Sequence, residues 1–291
     1  MEIEEILAKE GTIFIDSSSI HLHKKHHNTA GDRFIYALDD HRLDENIKIA
    51  RDAICLLENE KVRVIPEVLD EIQHIEGILD RTIAFRAEEK KHKRITEEVS
   101  TKDYQISILK EYIDSIVQLA NQSKVGNHNP LLSKWAELTD LITYEGGVKK
   151  PRRYEEYFKP YKNTDSKIVA HSIYESVHEN NPSAILTGDS DLGAILPVSF
   201  KILTSEYMKP QGDLLYKRLV ENPITLYFKN SEGYNRSMST DEIAAVRVFR
   251  LNNLSLYGSQ NILQKVRRLL FDIPLADIPA NQPQQSLLQQ V

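Results

Sequence analysis

Two short apolar runs that each stop at an aspartate constrain this chain more than any other feature. Thr12-Ile13-Phe14-Ile15 runs into Asp16, and Ser183-Ala184-Ile185-Leu186-Thr187 runs through Gly188 into Asp189. Both are brief, contain β-branched residues and are bounded by turn formers, the pattern of strands buried on both faces. Further strands are expected at 61–65, at 200–203 and, as an added edge, at 224–228. Between them lie stretches of helical period: 43–58, with Ile47, Ala50, Ile54 and Leu57 on one face; a segment opened by Pro66; and a segment from about Asp165 carrying Ile168, Val169 and Ile173. Strands that alternate with helices pair in parallel. The expected fold is Rossmann-like, a three-layer α/β/α arrangement around a central, mainly parallel sheet. In such sheets ligands bind beyond the carboxyl ends of the strands, so Asp16 and Asp189 are expected at one mouth.

Charge narrows the partners. The 37 basic and 43 acidic side chains give a net charge of −6, which excludes a binder that holds nucleic acid by bulk charge. No run of about 18 apolar residues is present, so no membrane helix is expected. The first residues, Met1-Glu2-Ile3-Glu4-Glu5, lack the layout of a signal peptide, and the expected location is cytoplasmic. The single cysteine, Cys55, excludes a disulfide framework and a Cys-rich zinc site; on an apolar helix face it reads as inert packing.

From 77 to about 124 the chain is helical and highly charged, and another helix around Trp135, a core residue, spans 131–144. Lys90, Lys91, Lys93 and Arg94 face Glu88, Glu89, Glu97 and Glu98 and read as a solvated face. The organisation expected is an α/β domain over 1–230 with a helical insertion at about 77–160. A C-terminal helical extension over 231–271 follows, opened by the capping box Ser239-Thr240-Asp241-Glu242. A Gln-rich tail over 272–291 is expected to be disordered. The insertion offers a surface to a second copy or a protein partner.

Two more acids fall at helix starts: Glu71, five residues after Pro66, and Asp165, in Asn163-Thr164-Asp165-Ser166-Lys167-Ile168-Val169-Ala170. Helices of such units begin at the edge where the strands end, so four acids are expected to converge. Two carboxylates at 4 Å repel by roughly 4 kcal/mol at an effective dielectric of about 20. Such a cluster requires protons or cations, and oxygen ligands without cysteine select Mg²⁺ or Mn²⁺.

Taken in order, Asp16-Ser17-Ser18 after a strand, Ile65-Pro66-Glu67-Val68-Leu69-Asp70-Glu71-Ile72, Asn163 to Ala170, and Leu186-Thr187-Gly188-Asp189-Ser190-Asp191-Leu192 resemble the PIN-domain nucleases. The resemblance covers roughly residues 10–20, 62–75, 162–175 and 184–203, and the chain is longer than the small members, with an insertion between the second and third acids. It implies a Mg²⁺- or Mn²⁺-dependent ribonuclease that cuts single-stranded or structured RNA within the strand. Carried over by residue, the catalytic acids are Asp16, Glu71, Asp165 and Asp189, with Glu67 and Asp70 as neighbours of the second. Asp16, Asp165, Asp189 and the accessory Asp191 are the expected metal ligands, and Ser17, Ser18 and Thr187 line the site.

Lys149, Lys150, Arg152, Arg153, Tyr154, Tyr157, Tyr161 and Lys162 interleave cations with rings just before Asp165, the chemistry of a groove for a single strand. His21, His23, His26 and His27 lack zinc-motif spacing and read as a solvated loop, or else as phosphate contacts at the mouth of the site. Two other functions compete. One is a nuclease-like scaffold that binds RNA or protein without cutting. The other is a haloacid-dehalogenase-type phosphatase, disfavoured because Ser18 stands where its second aspartate is needed.

Overall fold

The computed structural model describes residues 3–28, 34–39, 41–90, 97–126, 129–148, 163–230, 233–246 and 260–275. Helix α1 (Ile3–Lys9) leads into β1 (Thr12–Ile15), which ends in one 3-10 turn, Ser17–Ile20. A hairpin follows, β2 (Lys24–Asn28) with β3 (Phe34–Leu38), then α2 (Leu43–Leu57), β4 (Val62–Arg63), α3 (Pro66–Lys90) and α4 (Glu97–Gln122). Helix α5 (Pro130–Asp140) continues as a π turn, Leu141–Glu145. The second half comprises α6 (Thr164–His178), β5 (Ser183–Thr187), α7 (Leu192–Leu203), α8 (Gln211–Glu221), β6 (Ile224–Asn230), β7 (Gly233–Ser239), α9 (Thr240–Val246) and α10 (Gln260–Phe271).

Among the described residues the main sheet has five strands in the order β4-β1-β5-β6-β7. The first four run parallel, with Ile13 opposite Val62 and Ala184, and Leu186 opposite Tyr227; β7 closes the row antiparallel to β6. Strands β1 and β5 are buried along their whole length, as expected for central parallel strands covered on both faces. Helix α6 packs against β1, β5 and β6, α5 packs on α6, and α2 and α3 each pack on α4. The three-layer α/β/α architecture with a mainly parallel sheet is the one expected.

Pro66 occupies the first position of α3, where its missing N–H costs nothing. Asn129 caps α5 by accepting from the Leu131 N–H at 2.9 Å. Glu242 reaches back to the Ser239 N–H at 3.0 Å, the reciprocal half of the capping box. Beyond β4, Val64 donates to the Ser123 carbonyl and accepts from the Val125 N–H, both at 3.0 Å. The chain leaving α4 therefore lies along the outer side of β4.

Several elements differ from expectation. Residues 200–203 are not a strand but the last turn of α7, with Phe200, Ile202 and Leu203 buried; a short apolar run fits a buried helix as well as a buried strand. Ile224–Asn230 is not an edge, because β7 pairs outside it. The His/Lys-rich stretch is a loop only over 21–23, with His21 and His23: Lys24–Asn28 is β2, paired in register with the apolar β3, and the partner rather than its own composition makes it a strand. The side chains of His26 and His27 lie outside the described residues. Trp135 is fully buried as expected, but Cys55 is exposed on the solvent side of α2 rather than packed.

Candidate metal centre

The geometry starts from β1 and β5. Their parallel register sets Ile15 beside Leu186, so the residues after each strand emerge side by side at the carboxyl edge. The Asp16 N–H donates to the Leu186 carbonyl at 2.9 Å, and the Asp16 side chain, only 4% exposed, turns into the seam. Its Oδ2 accepts from Thr187 Oγ1 at 2.8 Å and from the Ser18 hydroxyl. Ser18 Oγ in turn accepts from the Gly188 N–H at 2.7 Å. A Cβ on Gly188 would meet the Ser18 carbonyl at 2.9 Å, so the two strand-end loops touch because this residue has no side chain.

Past Gly188 the chain folds over itself. The Asp189 N–H donates to Thr187 Oγ1 at 2.8 Å, and the Asp191 N–H donates to Asp189 Oδ1 at 3.0 Å. Asp191 stands at the N-cap of α7 without using its side chain as a cap, which leaves the carboxylate aimed elsewhere. It is aimed at Asp189 and Asp165: one oxygen from each of these three acids lies within 4.8 Å of the others, all three half-exposed. Among the described residues Asp16 is not part of that group, although it was expected as a ligand. Its carboxyl is turned toward the Ser18 and Thr187 hydroxyls instead.

Asp165 is delivered by α6, and nearly every side chain around it is tied down. Thr164 Oγ1 donates to Glu71 Oε1 at 2.7 Å, while the Ser17 hydroxyl donates to Glu71 Oε2. Lys167 Nζ meets Glu67 Oε1 at 2.5 Å. Asn163 Nδ2 donates to Asp140 Oδ2 at 2.5 Å, and the Ser166 hydroxyl donates to Asp140 Oδ1. Glu67 is thus an ion-pair partner of α6, whereas Glu71 is the acid of α3 that reaches the β1 turn. Asp70 points to the exposed side of α3.

The electrostatics follow from burial and crowding. Burial pushes the Asp16 carboxyl up to about 6; its two hydroxyl donors work against this, and the charges of Asp165 and Glu71 add to it. Burial likewise raises the Asp140 carboxyl, with Ser166, Asn163 and Lys167 opposing. On α6, burial pulls the His171 imidazole down to about 4.

The sequence reading of the site omitted Asp140. Its one signal is an acid in the last turn of α5, where the helix dipole disfavours it. It omitted Lys24 and Lys229 as well. Lys229 Nζ donates to the Ser19 carbonyl at 2.6 Å, and the Lys24 ammonium, lowered first by burial, lies within the fields of Arg81 and Glu71. The expected substrate contacts Lys149, Lys150, Arg152, Arg153 and Tyr154 lie outside the described residues, as do Tyr157, Tyr161 and Lys162.

No family model matches the chain, and no curated protein or solved structure does either. The resemblance to PIN-domain nucleases accordingly rests on residue types, their order, and their positions at strand ends and helix starts. Among the described residues, no helix is long and apolar enough to cross a membrane.

Proposed function

We propose that this protein is a Mg²⁺- or Mn²⁺-dependent nuclease that hydrolyses phosphodiester bonds within RNA. The observation that carries the reading is the meeting of Asp165, Asp189 and Asp191, from two separate elements, within 4.8 Å at the carboxyl edge of the sheet. The donor set fits the ion: every ligand atom is a hard carboxylate oxygen, at an edge where α/β folds bind ligands. When bound, such an ion lowers the pKa of water and offsets charge on the phosphoryl oxygens.

Asp165, Asp189 and Asp191 would hold the ion. Asp16, behind them, keeps its carboxyl fixed by Ser18 and Thr187. Glu71, held at both oxygens by Ser17 and Thr164, would complete the shell or orient the attacking water. In the reaction the water oxygen bonds to phosphorus and the bond from phosphorus to the 3′ oxygen breaks. One water proton ends on that oxygen, leaving a 5′-phosphate and a 3′-hydroxyl.

The test is cleavage of a labelled RNA by Asp165→Asn and Asp189→Asn, with calorimetric Mn²⁺ titration and a melting curve for each. Removing one carboxylate should slow cleavage roughly 100- to 1000-fold and abolish Mn²⁺ binding while the fold persists. Variants that cut as fast as the parent sink the assignment. A parent that neither binds Mn²⁺ nor cuts would leave the non-cleaving RNA- or protein-binding scaffold as the better reading.

A further inference from the structure

The 3-10 turn Ser17–Ile20 meets two kinds of side chain. Its Ser17 and Ser18 serve the carboxyls of Glu71 and Asp16. Basic groups reach the same region from three elements. His21 ends the turn, Lys24 comes from β2, and Lys229 comes from the end of β6. Thr187 pairs with Phe228, so Lys229, one residue on, stands level with Gly188 beside Asp189.

Lys229 is anchored on the Ser19 carbonyl at 2.6 Å. The base of the hairpin is pinned to α3, where the Leu38 N–H donates to Thr82 Oγ1 at 2.8 Å, next to Arg81. Lys24 pairs with Leu38 across that hairpin. The basic cluster is therefore built from the same turn, strand edge and helix that hold the acids.

Its charges oppose one another. Partial burial lowers the His21 imidazole, and Lys24, His23 and Lys229 lower it further. Burial also lowers Lys24 and Lys229; Arg81 acts on the first in the same direction and Glu71 against it, and Asp52 acts against it on the second. Gathering cations at a half-buried surface is unfavourable by itself and is relieved by an anion. A nucleic-acid strand supplies anions at regular intervals, and a site that handles one phosphate has neighbours to place.

We propose that His21, Lys24 and Lys229 seat a backbone phosphate of the bound strand next to the phosphate at the carboxylate cluster. This rests on the nuclease reading. The acids then act on one phosphate while the basic rim fixes where the strand lies.

The experiment uses the full chain, Mn²⁺ and a fluorescent single-stranded oligoribonucleotide, with cleavage followed over a salt series. Lys24→Gln should raise KM about tenfold at low salt, the loss falling on KM more than on kcat. It should flatten the salt dependence by about 0.7 of a log unit per log unit, the value for one lost contact to a single strand. Lys24→Arg should restore both. Inorganic phosphate should compete less well against Lys24→Gln than against the parent, while calorimetric Mn²⁺ affinity stays at the parent value.

If the parent cuts but Lys24→Gln and His21→Asn keep its KM and salt slope, the seat is wrong and the nuclease reading stands. If phosphate inhibits parent and variants equally, the seat is likewise wrong. If the parent does not cut at all, the nuclease reading falls and this inference falls with it.

Discussion

At the amino edge of the sheet Glu10 and Glu175 are acids too, and their surroundings differ from those at the opposite edge. Glu10, in the turn before β1, accepts the buried Tyr227 hydroxyl at 2.6 Å. Glu175 accepts from Thr12 Oγ1 at 2.5 Å and Asn181 Nδ2 at 3.0 Å. Lys61 Nζ sits nearby on the carbonyls of Leu7 and Glu10, at 2.7 and 3.0 Å. Each acid there has its own donors and stands apart from the other. At the carboxyl edge Asp165, Asp189 and Asp191 crowd within 4.8 Å, the charges of Asp165 and Glu71 act on Asp16, and hydroxyls donate to Asp16 and Glu71. An isolated acid with donors holds a fold together; crowded acids repel one another, and on the proposed reading a cation offsets that repulsion.

The sharpest way to break this contrast is through pH. Asp16 has its folded pKa raised from 3.8 to about 6, so its contribution is fully present below pH 3.8 and is lost as pH rises through 6. At pH 7 in EDTA, Asp16→Asn should therefore melt higher than the parent, by about 3 kcal/mol at most. The gap should close toward pH 4. His171, lowered from 6.5 to about 4, runs the other way: its contribution is present above pH 6.5 and is lost as pH falls through 4. The two offset in the parent, so its stability should change little between pH 6.5 and 4 where that of Asp16→Asn falls. A gap that stays constant over this range would show that Asp16 is not strained by its site.

A smaller effect is expected at the amino edge. Glu10→Ala leaves the Tyr227 hydroxyl buried without its acceptor and should cost about 2 kcal/mol. Urea melts measure this, and Mn²⁺ affinity should stay at the parent value. Any loss of Mn²⁺ binding would erase the distinction between the two edges. The smallest effect sharpens the comparison from within the site. Asp140→Asn disturbs the hydroxyl and amide that seat the start of α6, and should weaken Mn²⁺ about tenfold by calorimetry. Unchanged affinity would mean that Asp165 is positioned without help from α5.

What the sequence discloses follows from how local each signal is. Strands β1 and β5 are readable because central parallel strands are apolar throughout, and Asp16 and Asp189 are readable because each follows such a strand directly. Pro66 and the capping box mark their helices for the same reason. Strand β2 is not readable, since Lys-Lys-His-His-Asn becomes a strand only through its pairing with β3. Residues 200–203 are misread because Phe200, Ile202 and Leu203 around Lys201 are too short a stretch to show the helical period of α7. In the site, the choice between Glu67 and Glu71 depends on which hydroxyls and cations α6 brings. Lys229 reaches the Ser19 carbonyl from 210 residues away, and no spacing within the sequence announces it.

The bonds from Val64 to Ser123 and Val125 matter for a different hazard. β4 has two residues and, among the described residues, no further strand of the sheet on its outer side, and an open strand edge invites pairing with another chain. The segment leaving α4 occupies those hydrogen-bonding groups. The long excursion through α3 and α4 thus returns to shield the sheet's rim, and shortening it would expose an adhesive edge as well as remove helices.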